Sequence, residues 1–347
     1  MSTFTVTERA AFKRCRLQWD LSSLNRQGIT PVVPANALEL GTVIHKAHAD
    51  WLDSFANLTN RFSSLEESYK FSAFSEIDRL RAIYKIKQGT DLPEAALASL
   101  MEAMATGLVM MKNYTNYWGE FGSLPKGYSL IQNEQELIIP VPGTWHCDLQ
   151  RVEPNGRPVY FCESYRCYNE ACGCGHCSLH NLQGQLDALL LSTGNQLTVL
   201  ERKTYSRPPT IEALQQSDQI LAYIWIMTRL VWQSSLDWQA LGGEIGGAVY
   251  DGMYKRDMPV RGKDASSLFI RLEMIRPEYE INRFTGQLAS ELLEMGDPLV
   301  AIYNARRDWE GCWDCDFQEV DTRMSRGEDY QALLDKSYVH RLDVVTV

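Results

Sequence analysis

The sequence predicts an α/β fold, a central mixed β-sheet flanked by helices, and three observations predict it. The first third of the chain spaces its apolar residues helically, the period changes near Tyr128, and beyond that point strands and helices follow in an irregular order. That order suits a mixed sheet wrapped by helices better than a repeating βαβ wheel.

The elements follow in chain order. "TERAAFKRCRLQWDLSSLN" reads as a helix with Thr7 as N-cap, and "ALELGTVIHKAHADWLDSFAN" as a second. Longer helical stretches run to about Tyr117, and "YSLIQNEQELIIPV" reads as a strand. A cysteine-rich segment then interrupts. Leu186–Leu191 and Leu197–Leu200 are strand-like around the turn "STGN", and "TIEALQQSDQILAYIWIMTRLVWQ" is the helix after them. "GGAVYDGMYK" and "SLFIRLEMIR" are further strands, a long helix starts near Pro277, and the tail holds Cys312 and Cys315. No repeat or low-complexity linker divides the chain. The expectation is one domain over 1–347: a helical region at 1–127, a sheet core at 128–260 with a cysteine-rich insertion at 143–182, and a strand/helix region at 261–347.

Composition narrows the function classes. The 347 residues are 45% hydrophobic and 22% charged, as in a soluble globular protein, with a net charge of −10. That charge argues against a generic polyanion-coating protein but leaves room for a local basic groove. Basic clusters occur at Lys13–Arg16, at Arg202 and Lys203 with Arg207, and at Lys255 and Arg256; by themselves these read as solvated faces. The longest apolar run, "ILAYIWIMTRLVW", is too short for a membrane span and contains Arg229. "MSTFTVTERAAFKR" has no apolar stretch after a basic start, so the expected location is cytoplasmic.

The hairpin at 186–203 carries charges that strands ordinarily avoid. A turn centred on Gly194 sets Asp187 opposite Glu201, with Cβ atoms ~5 Å apart. Glu201 and Lys203 share a side while Arg202 points away. Two carboxylates and a lysine on one face make a site for a hard cation, Mg²⁺ or Mn²⁺. The bland alternative is an exposed hairpin with one Glu–Lys pair.

Nine cysteines are unevenly placed, with six between Cys147 and Cys177. Within that stretch Cys167, Cys172, Cys174 and Cys177, with His176 and His180 nearby, offer soft ligands on short spacing for tetrahedral Zn²⁺. The alternative is a surface loop without metal.

Taken together, the hairpin and its flanks resemble the PD-(D/E)XK nuclease superfamily, and within it the RecB-like exonuclease branch, which includes iron–sulfur CRISPR-associated exonucleases and phage homologues. Asp187 and Glu201-Arg202-Lys203 match its core, Gly41-Thr-Val-Ile-His45 an upstream Gly-x-x-x-His helix, and Gln219-Ile-Leu-Ala-Tyr223 a downstream Gln-x-x-x-Tyr helix. The resemblance implies a restriction-endonuclease-like sheet and a metal-dependent deoxyribonuclease, an exonuclease, with Mg²⁺ or Mn²⁺ as cofactor. His45, Asp187, Glu201 and the Arg202 carbonyl would bind the metal, and Lys203 would assist the water. Gln219 and Tyr223 would hold DNA or brace the site, and Glu134 or Glu136 would serve as an auxiliary acid. DNA would be the partner, beside a separate helicase or recombinase, since the chain has no phosphate-binding loop of its own. The iron–sulfur members place one cysteine near the N-terminus and three near the C-terminus. Cys15, Cys312 and Cys315 match three of these, but Asp321 stands at the fourth position: either Asp321 ligates a 4Fe-4S cluster, or a cysteine of the insertion substitutes, or the three are buried thiols without a cluster. The rival reading is a non-catalytic DNA-binding or assembly subunit with the same fold and a structural zinc or iron–sulfur site.

Overall fold

A computed structural model describes residues 2–32, 36–56, 61–119, 122–142, 147–152, 158–162, 167–169, 178–233, 244–256, 266–302 and 315–342. The chain opens with strand β1 (Ser2–Thr5) and helix α1 (Val6–Arg14). The helix is capped by Thr5 rather than Thr7. Thr5 Oγ1 accepts the Glu8 amide at 2.9 Å and Glu8 Oε2 accepts the Thr5 amide at 2.7 Å, a reciprocal capping box. The single helix expected here is two, because Cys15 is extended (φ −156°) and separates α1 from α2 (Arg16–Ser22).

After β2 (Ile29–Pro31) come three long helices, α3 (Asn36–Ala56), α4 (Leu65–Gln88) and α5 (Glu94–Trp118). Helix α5 is long and apolar enough by composition to cross a membrane. Its Leu100, Met104, Met110, Met111 and Tyr114 are buried, however, and Tyr114 bonds to the sheet through Asp251.

Strands β3 (Tyr128–Pro142), β7 (Ser178–Ser192), β8 (Gln196–Tyr205), β9 (Glu244–Tyr254) and β10 (Phe269–Met274) complete the main sheet with β1. Between β3 and β7, the short strands β4 (Cys147–Val152), β5 (Pro158–Cys162) and β6 (Cys167–Asn169) form a separate three-stranded sheet. Strand β7 is the axis of the fold. Antiparallel β3 follows one edge of it, while the other edge takes parallel β1 at His180–Gln183 and then antiparallel β8 at Ala188–Leu191. Strand β9 lies parallel to β8, and β10 antiparallel to β9, so the sheet is mixed as expected.

Three expected boundaries are corrected by these pairings. Residues 178–182 belong to β7 and the sheet, not to the cysteine-rich insertion. The sheet also takes β1 from the supposedly helical first region, and β10 from beyond residue 260. From sequence β10 reads as a strand but is set outside the core, while β1 and the start of β7 go unread because partners at long separation, not local pattern, make them strands.

Helices α6 (Ile211–Gln215) and α7 (Asp218–Gln233) replace the one helix expected over 210–233, and α8 (Glu278–Gly296) starts after Pro277 as anticipated. One large cluster joins Leu186, Leu189 and Val199 of the sheet to Tyr223, Trp225 and Ile226 of α7 and Phe284, Leu288 and Leu292 of α8. A second joins Val43, Ile44 and Ala47 of α3 and Met110 and Met111 of α5 to Met253 and Phe269. The sheet is therefore buried on both faces, which is why its central strands read as continuous apolar runs. At the C-terminal end, α9 (Gln318–Arg326), α10 (Gln331–Ser337) and β11 (Tyr338–His340) fold back, and β11 pairs with β2.

Candidate active site

The site forms where β7 changes partners. Strand β1 leaves at Gln183 and β8 joins at Ala188, so Asp187 sits at the fork between them. The turn sets Ala188 opposite Leu200 and Leu191 opposite Leu197, the register that carries Asp187 toward Glu201. Instead of a ladder bond, Asp187 Oδ2 accepts the Arg202 amide at 2.5 Å. Its other oxygen, Oδ1, meets His45 Nδ1 at 2.7 Å.

Helix α3 brings His45 there. Gly41, one turn earlier on the same face, lies beside β8, where a Cβ would make an ordinary contact of 3.5 Å with Thr204 Oγ1. The tight glycine is Gly184 on β7: a Cβ there would stand 2.6 Å from Ile226 Cδ1 and 3.2 Å from the Tyr223 ring, so glycine lets α7 approach the strand. Gln219 Nε2 donates to Tyr223 Oη at 3.0 Å one turn along that helix.

Glu201 is 2% exposed and pairs with Lys203 Nζ at 2.5 Å. Burial raises its pKa to about 7; the lysine's charge opposes the rise and the nearby Asp187 adds to it. For Lys203 burial works against the charged form, but Glu201 outweighs it and the pKa is raised. His45 follows the same logic: burial lowers its pKa, Asp187 raises it, and the net direction is upward. Burial pushes Asp187 up, yet His45, Arg202 and the Arg202 amide hold its pKa below the usual range. Tyr223 is kept protonated by burial and by Glu201.

Of the two candidates for an auxiliary acid, Glu134 lies nearer the fork. It faces Asp187 across β3 and β7, between the pairs Asn133–Ala188 and Gln135–Leu186, and has φ 45°, a left-handed conformation unusual for a non-glycine residue in a strand. Its carboxylate accepts Gln185 Nε2 at 2.6 Å, and burial together with Asp187 raises its pKa. Glu136 pairs opposite Gln185, further from the fork.

The donors fit a hard divalent cation in kind. Two carboxylates and an imidazole gather at one buried place beside the Arg202 amide, and Glu201 carries a desolvation cost that a cation would relieve. Among the described residues, no three His, Cys, Asp or Glu side chains form a ready-made cage. His45 is turned onto Asp187, and Glu201 onto Lys203, so binding would exchange these pairs for the metal.

The cysteines divide. Cys15 and Cys315 pack at the edge of one apolar cluster with Leu17, Leu21, Phe317 and Tyr338, where the two ends of the chain meet. Burial raises the Cys315 thiol pKa, with Cys15 close enough to add to it. Asp321 lies in α9. Cys312, Cys172, Cys174, Cys177 and His176 fall outside the described residues, and of Cys167 only the backbone in β6 is described. His180 is in β7, its ring edge-on to Phe4 at 5.3 Å, where it packs β1 against the sheet.

Sequence reasoning missed the layer beneath the site. Asp251, fully buried on β9 beside Arg202, accepts Tyr114 Oη at 2.6 Å and Arg271 Nη2 at 2.8 Å. Arg271 also lies over the Trp118 ring at 4.0 Å. These residues come from four elements, and no local pattern announces them.

The model of the PD-(D/E)XK nuclease superfamily matches residues 3–320. The chain belongs to that superfamily. The match spans β1 through α9 and so includes both edges of β7 and the whole fork. As a nuclease-superfamily fold, the mixed sheet with helices on each face is the arrangement expected, and phosphodiester hydrolysis is the chemistry the family implies. No curated protein matches the chain. Among solved structures, the crystal structure of SSO0001 shares 13% identity over 70% of this chain and 79% of that one, with a TM-score of 0.28, too low to carry an argument.

Proposed function

We propose that this superfamily member is a metal-dependent deoxyribonuclease of the RecB-like type that hydrolyses DNA from a strand end. What supports the reading is one observation: His45, Asp187, Glu201, Lys203 and Tyr223, from two helices and two strands, converge on the fork in β7.

Asp187, Glu201, His45 and the Arg202 carbonyl would hold Mg²⁺ or Mn²⁺. Bound there, the metal would supply a water of lowered pKa and a counter-charge for the phosphate. Lys203, kept protonated by Glu201, would orient that water and offset charge developing on the phosphate. The Arg202 amide fixes the Asp187 carboxylate in one orientation. Gln219 holds the Tyr223 hydroxyl toward the acidic cluster, where it braces the site or meets the DNA backbone. The enzyme would work beside a separate helicase or recombinase. Cys15 and Cys315, meeting between the chain's ends, are the thiolates to consider for a 4Fe-4S cluster with Cys312 and Asp321; Cys167, Cys172, Cys174 and Cys177 remain the zinc candidates.

The test is cleavage of labelled linear and circular DNA, single- and double-stranded, by purified protein with Mg²⁺ or Mn²⁺. Loss of linear but not circular substrate is expected, and metal-dependent cleavage that survives Asp187→Ala overturns the site. Metal analysis with an absorbance scan near 400 nm on protein purified without oxygen decides the cysteines; neither zinc nor iron would refute both cysteine readings.

A further inference from the structure

Two consecutive residues in the α5–β3 connection, Gly122 and Ser123, receive side chains from four separate elements. The Tyr114 hydroxyl of α5, which donates to Asp251, lies 3.1 Å from the Gly122 carbonyl, and Arg271 of β10 donates to that carbonyl at 2.8 Å. Arg202 of β8 donates through Nη2 to the Ser123 carbonyl at 2.8 Å. His48 of α3 meets the Ser123 hydroxyl through Nδ1 at 3.2 Å. The contacts at Ser123 are dry: His48 is 0% exposed, Arg202 1% and Ser123 2%.

The two contacts at Ser123 end on the two elements that hold Asp187. His48 lies one helical turn beyond His45, which meets Asp187 Oδ1. Arg202 gives its own amide to Asp187 Oδ2. Ser123 therefore ties α3 to β8, and a shift of either element moves one of the two groups that orient the Asp187 carboxylate. Groups that orient metal ligands from behind typically set affinity by 10–100-fold. Nothing in the local sequence "EFGSLPKG" signals such a role; the convergence is visible only in the fold.

We propose that Ser123 is a positioning residue for the metal-binding face, acting through His48 and Arg202 on His45 and Asp187. The inference rests on the nuclease reading given above. Its hydroxyl fixes the rotation of α3, and its carbonyl fixes the Arg202 side chain, so that both Asp187 oxygens stay aimed.

The experiment compares the wild-type chain with Ser123→Ala, Ser123→Thr and Asp187→Ala. Mn²⁺ binding is measured by titration calorimetry, with thermal unfolding and DNA cleavage recorded on the same preparations. Subtracting the heat that persists in Asp187→Ala isolates the site. Ser123→Ala should weaken Mn²⁺ binding roughly tenfold and raise the Mn²⁺ concentration for half-maximal cleavage in step. Ser123→Thr, which keeps the hydroxyl, should recover most of the loss. If Ser123→Ala lowers Tm but binds Mn²⁺ within twofold of wild type, the residue is merely structural and the proposal is overturned. A wild-type chain with no Asp187-dependent Mn²⁺ binding or cleavage would overturn the nuclease reading itself, a result distinct from the first.

Discussion

The backbone amide of Arg202 donates to Oδ2 of Asp187 at 2.5 Å, across the fork where β7 has lost β1 and not yet gained β8. A strand amide that would otherwise lack a partner is satisfied by a carboxylate, and the same bond holds that carboxylate below its ordinary pKa. Structure and chemistry are thus served by a single contact.

That contact defines how to remove the charge without the fold. In Asp187→Asn the amide oxygen can still accept from Arg202, so the fork should survive. The negative charge that a divalent cation requires is gone. Single-turnover cleavage should fall by at least about 100-fold, the upper range for losing even an indirect metal partner. DNA affinity measured in Ca²⁺ should change little, and the Tm should move by only a few degrees. Equal losses in cleavage and in DNA affinity would point to misfolding or to a binding role instead.

Lys203 should behave differently. It pairs with Glu201 but belongs to the reacting side, so Lys203→Met should lower kcat by roughly 10²-fold with little change in KM for DNA, the pattern of an interaction made in the transition state. Removing the ammonium also removes a competitor for Glu201. The metal concentration at half-maximal rate should therefore fall or stay the same. Steady-state kinetics over a Mg²⁺ series reads both quantities.

How far the sequence showed this site depends on whether the partners were local. The register of Asp187 and Glu201 was legible because the turn at Gly194 joins them directly, and the pairing of Ala188 with Leu200 agrees. Gly41 with His45, and Gln219 with Tyr223, were legible as one-turn spacings. The choice of Glu134 over Glu136 was not, because it turns on one residue's positive φ in β3. Strand β1 was hidden by its four-residue length, and the link of Tyr114 to Asp251 and Arg271 by separations of more than a hundred residues. Short elements and long-range polar contacts carry little local pattern, so they appear only once the chain is folded.

Gly247 tests the sheet beside the site. It has φ +123°, at the register shift between β8 and β9, and a Cβ there would stand 2.2 Å from the Met274 carbonyl oxygen of β10. Backbone cannot step aside as a flexible side chain can. Gly247→Ala should cost at least about 2 kcal/mol by denaturant titration, from strain at the positive φ and from the clash. A neutral substitution would show that β10 is free to move away from β9.

His48 gives the fold a pH dependence whose sign can be worked out. Burial, then the charges of Arg202, His45 and Arg271, hold its pKa well below 6.5. Tyr114 packs edge-on to its ring at 4.9 Å, Ser123 takes Nδ1, and Asp251 pairs with Arg271, so among the described residues no carboxylate is in place to favour the charged form. Above pH 6.5 both folded and unfolded chains carry this histidine neutral, and it contributes no slope. As pH falls below 6.5 the unfolded chain takes up a proton that the folded chain refuses, and stability is lost. The loss approaches about 1.4 kcal/mol per pH unit until the folded pKa is reached. His48→Gln keeps an amide to meet Ser123 but cannot titrate. It should be somewhat less stable than wild type at pH 7.5 and should close most of that gap by pH 5.5, since Glu201 and the other carboxylates titrate alike in both proteins. Urea titrations of the two chains at pH 7.5, 6.5 and 5.5 measure the difference, and parallel pH profiles would mean that His48 is protonated in the folded state.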